Sequence, residues 1–283
     1  MIKNQIKTVL LLGLLTGLLL GVGQLLGGRQ GLFIGLVFAI VMNFGSFWFS
    51  DKIVLAMYRA KEVKEHNQPE LYKIVKEVAH LSQVPMPKVY IVPTENPNAF
   101  ATGRNPKHAA VACTVGIMNL LSKDELKGVI AHEMSHIKNR DTLIQAVAAT
   151  IAGVISYLAF MARWAAIFGG YGGRDRDGGN MFELLALAII TPLVATILQL
   201  AISRSREYLA DETAAKTIHN SFSLADALEK LESGVKHHPL RFGSPSTSSL
   251  FILNPFSGKG FLHLLSTHPP IKERVKRLRE MEV

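Results

Sequence analysis

The sequence predicts a mainly α membrane protein, with four transmembrane helices and a water-facing α+β domain built on a small antiparallel sheet. Three observations carry that prediction. The apolar residues of this 283-residue chain are gathered into four long blocks rather than spread as in a soluble protein. Short β-rich runs separated by turns lie between the second and third blocks. They lead directly into a capped amphipathic helix carrying two histidines four residues apart.

Taken in order, Thr8 to Gly28 and Gln30 to Ser50 are each uncharged for 21 residues. At about 1.5 Å per residue either one crosses a hydrocarbon layer of about 30 Å, so residues 1–50 are expected to form a transmembrane hairpin. Lys3 and Lys7 before an apolar run also suit a cleavable signal peptide. No Ala-x-Ala-like site closes the run and a second equally long one follows, so the N-terminus is expected to stay attached. Lys3 and Lys7 precede the first block and Lys52, Arg59, Lys61 and Lys64 follow the second, against Arg29 in the turn, which predicts that both outer flanks are cytoplasmic. The single Cys113 fits that reducing side. The net charge of +9 is scattered among acids, with no aromatic platform or reading helix, so nucleic acid is not an expected partner.

Beyond the hairpin, the spacing predicts an amphipathic helix over Pro69 to Ala79. Lys88 to Val92, Ala99 to Thr102 and Ala109 to Ile117 read as strands, with the turn-rich segments TENPN and GRNPKH between them. An exposed edge of such a sheet can hold a peptide in extended form through backbone hydrogen bonds.

Next comes Ser122 to Asp141, SKDELKGVIAHEMSHIKNRD. Ser122 followed by Glu125 is a capping box, and Leu126, Val129, Ile130, Met134 and Ile137 recur at helical spacing. On that helix His132 and His136 project from one face and can converge on one metal ion, with Glu133 beside them to take a proton from an attacking water. Two histidines that merely share a helix would give the same pattern, so the reading needs a third ligand.

Thr142 to Ala162 and Leu184 to Ser203 are further uncharged blocks joined by the Gly-rich loop GGYGGRDRDGGN, and residues 142–203 are expected to form a second transmembrane hairpin. A buried soluble helical hairpin is the alternative. The segment SRSREYLADETAAK then reads as a helix on which Glu207 and Asp211 share a face, either as a solvated acidic edge or as functional groups. A hairpin that returns the chain to the metal helix makes Glu207 the natural third ligand, with Asp211 accepting the free N–H of one metal-bound imidazole. Ser223 to Glu232 reads as a capped helix and Pro269 to Glu282 as a basic one, with His268 just before it. Packing or capping is one role for His268, and transition-state stabilisation is another.

The set NAFATG at Asn98 to Gly103, HEMSH at His132 to His136, EYLAD at Glu207 to Asp211 and THPP at Thr267 to Pro270, within four apolar blocks, resembles the HtpX family of membrane zinc metalloproteases. The resemblance covers essentially the whole chain and places it beside the prenyl-protein-processing membrane proteases. It implies a zincin-like catalytic domain made of residues 51–141 and 204–283. It also implies one Zn2+ per chain held by His132, His136 and Glu207, Glu133 as catalytic base, Asp211 as orienting carboxylate and Asn98, Ala99 and Phe100 as the edge that grips substrate. The family further implies a multi-pass protein of the bacterial inner membrane, with unfolded or damaged membrane proteins as substrates. A membrane scaffold or chaperone-like binder retaining a structural zinc is the rival, but a closed structural site fills all four positions, often with Cys, and Cys113 is the chain's one cysteine.

Overall fold

The fold is that of a computed structural model, which describes residues 2–151, 153, 204–240, 247, 250–255 and 269–283. Helix α1 (Ile2–Met57) breaks at Gly27 and Gly28, where Gly28 takes φ +54°, and folds back into the expected hairpin. The two arms touch closely because glycine lets them: a Cβ on Gly31 would lie 1.9 Å from the carbonyl oxygen of Gly23. Asn43 donates to the Thr16 hydroxyl across the same seam at 2.8 Å. Ile6–Leu25 and Gly27–Met57 are long and apolar enough to cross a membrane. Their outer faces expose large apolar side chains such as Val9, Phe33 and Val41, as a helix surrounded by lipid does and a core helix does not.

The sheet corrects the sequence reading in three ways. It has four strands in the order β1-β2-β4-β3, and it is mixed rather than antiparallel. Strands β2 (Lys88–Val92) and β4 (Ala109–Thr114) run parallel, while β3 (Ala99–Gly103) pairs antiparallel with β4 on its far side. The TENPN connection carries the chain past the place of β4, and the tight return through GRNPKH then lays β4 into the gap beside β2. The short strand β1 (Lys61–Val63), too brief to give a periodic signal, pairs antiparallel with β2. The last strand stops at Thr114 rather than Ile117, because the Thr114 hydroxyl accepts from the Ile117 N–H and starts α3 (Val115–Leu120).

Helix α2 (Pro69–Leu81) lies over the expected span. Helix α4 (Lys123–Asn139) is the centre of the core. Its capping box forms as predicted, with the Ser122 N–H donating to Glu125 Oε2 at 2.8 Å and the Glu125 N–H to Ser122 Oγ at 3.4 Å. Arg140 then takes the left-handed conformation, φ +58°, and ends the helix in one residue. Helix α5 (Asp141–Ile151) departs from that turn and packs Ile144, Val147 and Ile151 against Leu11, Leu15 and Leu19 of the hairpin. The rest of the expected second hairpin lies outside the described residues, so two of the four expected spans are seen among those described.

Helices α6 (Arg204–Ile218), α7 (Phe222–His237) and α8 (Ile271–Arg279) close the domain. A Cβ at Gly128 of α4 would lie 2.9 Å from the Leu224 backbone nitrogen, so glycine there permits the close crossing of α4 and α7. The buried face of α6 is Glu207, Ala210, Asp211, Ala214 and Ala215, an alanine stripe that lets two acids approach α4.

Candidate metal centre

On α4, His132 and His136 are one turn apart and buried, and on α6 Glu207 is buried facing them. The two Nε2 atoms are 3.2 Å apart. Glu207 Oε2 lies 3.6 Å from His132 Nε2, and its Oε1 lies 3.5 Å from His136 Nε2. Among the described residues this is the one group of three that could hold a metal ion.

Each ring is oriented from behind. His132 Nδ1 is 2.9 Å from Asp211 Oδ1, and His136 Nδ1 is 3.3 Å from Asp141 Oδ2. With Nδ1–H donating to a carboxylate, each imidazole directs the lone pair of Nε2 into the centre. Asp211 is held in turn by Arg274, whose Nε and Nη2 donate to its two carboxylate oxygens at 2.8 and 2.7 Å. Arg206 lies 3.6 Å from Asp141. Glu133, Glu207, Asp141 and Asp211 thus meet Arg274 and Arg206, four negative charges against two positive, and a divalent cation would balance the excess.

Burial works against charge on His132, but its hydrogen bonds to Asp211 and Glu207 outweigh that and raise its pKa to about 9. In Asp211 burial is likewise opposed and overcome, here by Arg274, and the carboxyl titrates below its ordinary range. Glu133 is pushed upward by burial, only partly offset by the two histidines. The Ala101 backbone N–H in β3 lies near its carboxylate and favours the charged form.

Ala99 and Phe100 open β3 and Asn98 immediately precedes it, on the strand that ends the sheet. Sequence reasoning missed Asp141, Arg274 and Gln145, which lines the small cavity above His132, Glu133 and His136. A signal for Arg274 was present. It stands on the apolar face that Ile271, Val275 and Leu278 define, where a charge has to find a buried partner. His268 lies outside the described residues.

Residues 65–282 match Peptidase family M48. The chain belongs to that family. As an M48 peptidase it is a metalloprotease, a hydrolase, and its apolar hairpin makes it a membrane one. It is 54% identical over 276 residues to the protease HtpX homolog of Pyrococcus furiosus, covering 98% of this chain and 95% of that one. The protease HtpX homolog of Syntrophobacter fumaroxidans is 53% identical over 282 residues, covering 98% and 99%. Among solved structures, the M48 peptidase shares its fold with the crystal structure of S. mikatae Ste24p at a TM-score of 0.54 and 20% identity, over 98% of this chain and 66% of that one.

Proposed function

We propose that the protein is a zinc endopeptidase in which His132, His136 and Glu207 hold one Zn2+ per chain and Glu133 is the general base. The observation that carries this is the buried donor triangle of these three residues, in which the two Nε2 atoms are 3.2 Å apart and Glu207 approaches them with different oxygens, Oε2 at 3.6 Å from His132 and Oε1 at 3.5 Å from His136. A tetrahedral zinc with bonds of about 2.0–2.1 Å needs donor separations of about 3.3 Å, and one donor atom from each of the three residues already lies within 4.8 Å of the others, so the residues fit the ion. Two histidine nitrogens and one carboxylate, leaving one position open, make a hydrolytic donor set rather than a closed structural one. When bound, zinc supplies acidification of a water and polarisation of the scissile carbonyl.

The chain's own groups account for the remaining steps. Glu133, beside the triangle and outside it, takes the proton of the attacking water and delivers it to the leaving amine. Asp211 and Asp141 keep the two imidazoles turned with Nε2 inward, and Arg274 holds Asp211. Asn98, Ala99 and Phe100 grip an extended substrate along the β3 edge, next to Glu133.

The domain hangs directly on the apolar hairpin: α5 begins at the metal centre and packs on it, and Arg104 next to β3 stacks on Trp48 at 4.5 Å. This proximity supports unfolded or damaged membrane proteins as substrates, and a part in quality control under stress. The lysines flanking the hairpin support a cytoplasmic catalytic domain, assembled from residues 51–141 and 204–283, in the plasma membrane of a cell. Detergent-purified protein loaded with zinc should bind one ion per chain and cut casein. Stoichiometric zinc without cleavage would instead favour the scaffold.

A further inference from the structure

A cleft between α2 and α3 is lined by Leu71, Ile74 and Met118, and nothing indicates an occupant for it. The outer edge of β3 is different, because it is already occupied by a segment of the chain itself. Phe251 bridges Phe100 in antiparallel register, and the Ile252 N–H donates to the Ala99 carbonyl at 3.1 Å. The Asn98 side chain clamps the next residue on both sides, donating to the Leu253 carbonyl at 2.8 Å and accepting from its N–H at 3.4 Å. Arg274 donates to the Ile252 carbonyl at 3.3 Å.

We propose that Leu250–Leu253 is a built-in strand occupying the groove that a peptide substrate must take, so that this form of the enzyme is self-covered and opens by displacing the segment. The inference rests on the reading of Asn98 to Phe100 as the gripping edge. A peptide laid there needs the Ala99 carbonyl, and Ile252 has it. Two neighbouring groups are taken as well: the Ala99 N–H by Asn98 Oδ1 and the Gly103 carbonyl by Thr142. Leu250, Phe251 and Ile252 also line the cavity over His132, Glu133 and His136, which has no room even for a water molecule. Sites that take a drug-sized ligand are roughly 300–1,000 Å³, so a peptide cannot enter while the segment stays.

The segment also describes what the groove accepts. It is an apolar extended peptide whose Phe251 ring sits edge-on between Tyr58 and Phe100, at centroid distances of 4.8 and 5.1 Å. An apolar substrate with an aromatic residue at that register would reproduce these contacts.

Occlusion by an internal strand reduces apparent affinity by the fraction of time the groove is open and leaves the chemical step alone. The test compares full-length, zinc-loaded parent and Ile252→Pro, which removes the N–H that bonds Ala99, on a quenched fluorescent peptide. KM should fall by about 2- to 10-fold, the weight of one hydrogen bond, with kcat unchanged. A synthetic peptide of the sequence Thr247 to Pro255 should inhibit the variant competitively. Turnover by the parent with KM unchanged or raised in the variant would overturn the covering strand while leaving the peptidase reading intact. Should Ile252→Pro not fold, hydrogen exchange on the unaltered, zinc-loaded protein decides the matter. Saturation with a peptide hydroxamate should strip protection from the Ile252 and Leu253 amides, and retained or increased protection would overturn the proposal. Failure of the parent to cut any peptide with zinc bound would count against the peptidase reading, and the exchange measurement judges the strand independently of it.

Discussion

Replacing Arg274 by methionine removes a buried cation without opening a large void. The guanidinium is 1% exposed and makes a two-pronged contact with Asp211 at 2.8 and 2.7 Å. It also lies 3.7 Å from Glu207 and donates to the Ile252 carbonyl. Without it Asp211 keeps its charge in a site that is 3% exposed, with His132 as its remaining partner of those named. Removing one member of a buried pair costs about 3–5 kcal/mol, because the other charge is left uncompensated. That is a large part of a total stability of about 5–15 kcal/mol. At about 2–4 °C per kcal/mol for a domain of this size, the melting temperature should drop by roughly 6 to 20 °C. Scanning calorimetry on zinc-loaded parent and variant in the same detergent measures it. Asp211→Asn added to Arg274→Met should cost less than the sum of the single changes, since the stranded charge is gone. An Arg274→Met protein melting within about 2 °C of the parent would refute the reasoning.

Glu207→Ala should deplete zinc outright, whereas Asp211→Asn or Asp141→Asn should weaken metal affinity or activity by about 10- to 100-fold, and full zinc occupancy in Glu207→Ala would move the third ligand elsewhere. His132 has to lose its proton to bind metal, and its pKa of about 9 in the metal-free protein fixes the sign of the pH dependence. Its raised pKa stabilises the metal-free fold fully below about pH 6.5 and progressively less up to pH 9, while zinc affinity should rise about tenfold per pH unit over that range and level off above it. The zinc-dependent gain in melting temperature should therefore grow from pH 6.5 to 9, and a flat profile would contradict it. Cys113 is buried, with its pKa pushed up to about 12 by burial and by Glu133, so it is a poor thiol target, and Cys113→Ser clears the background. On that background a cysteine at Gly173 should react with an impermeant reagent outside intact cells and one at Ser233 only after lysis. Labelling of Gly173 only after lysis would favour a second hairpin packed on the cytoplasmic domain.

Elements governed by local chemistry were legible in the sequence. The Ser122–Glu125 box and the one-face placement of the histidine pair depend on spacings within a few residues, and both form as written, whereas the turn of the first hairpin, expected around Arg29, falls at Gly27 and Gly28. Pairing across distance was not legible. The parallel contact of β2 with β4 depends on which side of β4 the intervening strand lands, and no property of Lys88–Val92 or Ala109–Thr114 encodes that. Asp141 was hidden for a related reason, since it looks like an ordinary acid beyond a helix end until the left-handed Arg140 turns it back under His136. Glu207 and Asp211 were readable as a pair, but their burial depends on the alanines that bring α6 against α4.

In the proposed mechanism Glu133 moves the proton while His132, His136 and Glu207 hold the metal. Metal analysis and peptide hydrolysis on a single preparation of Glu133→Gln test it most directly, because the amide keeps the shape of the side chain but cannot accept a proton. The account predicts zinc at the parent's stoichiometry together with loss of proteolysis. Turnover near the parent level at full zinc occupancy would contradict it.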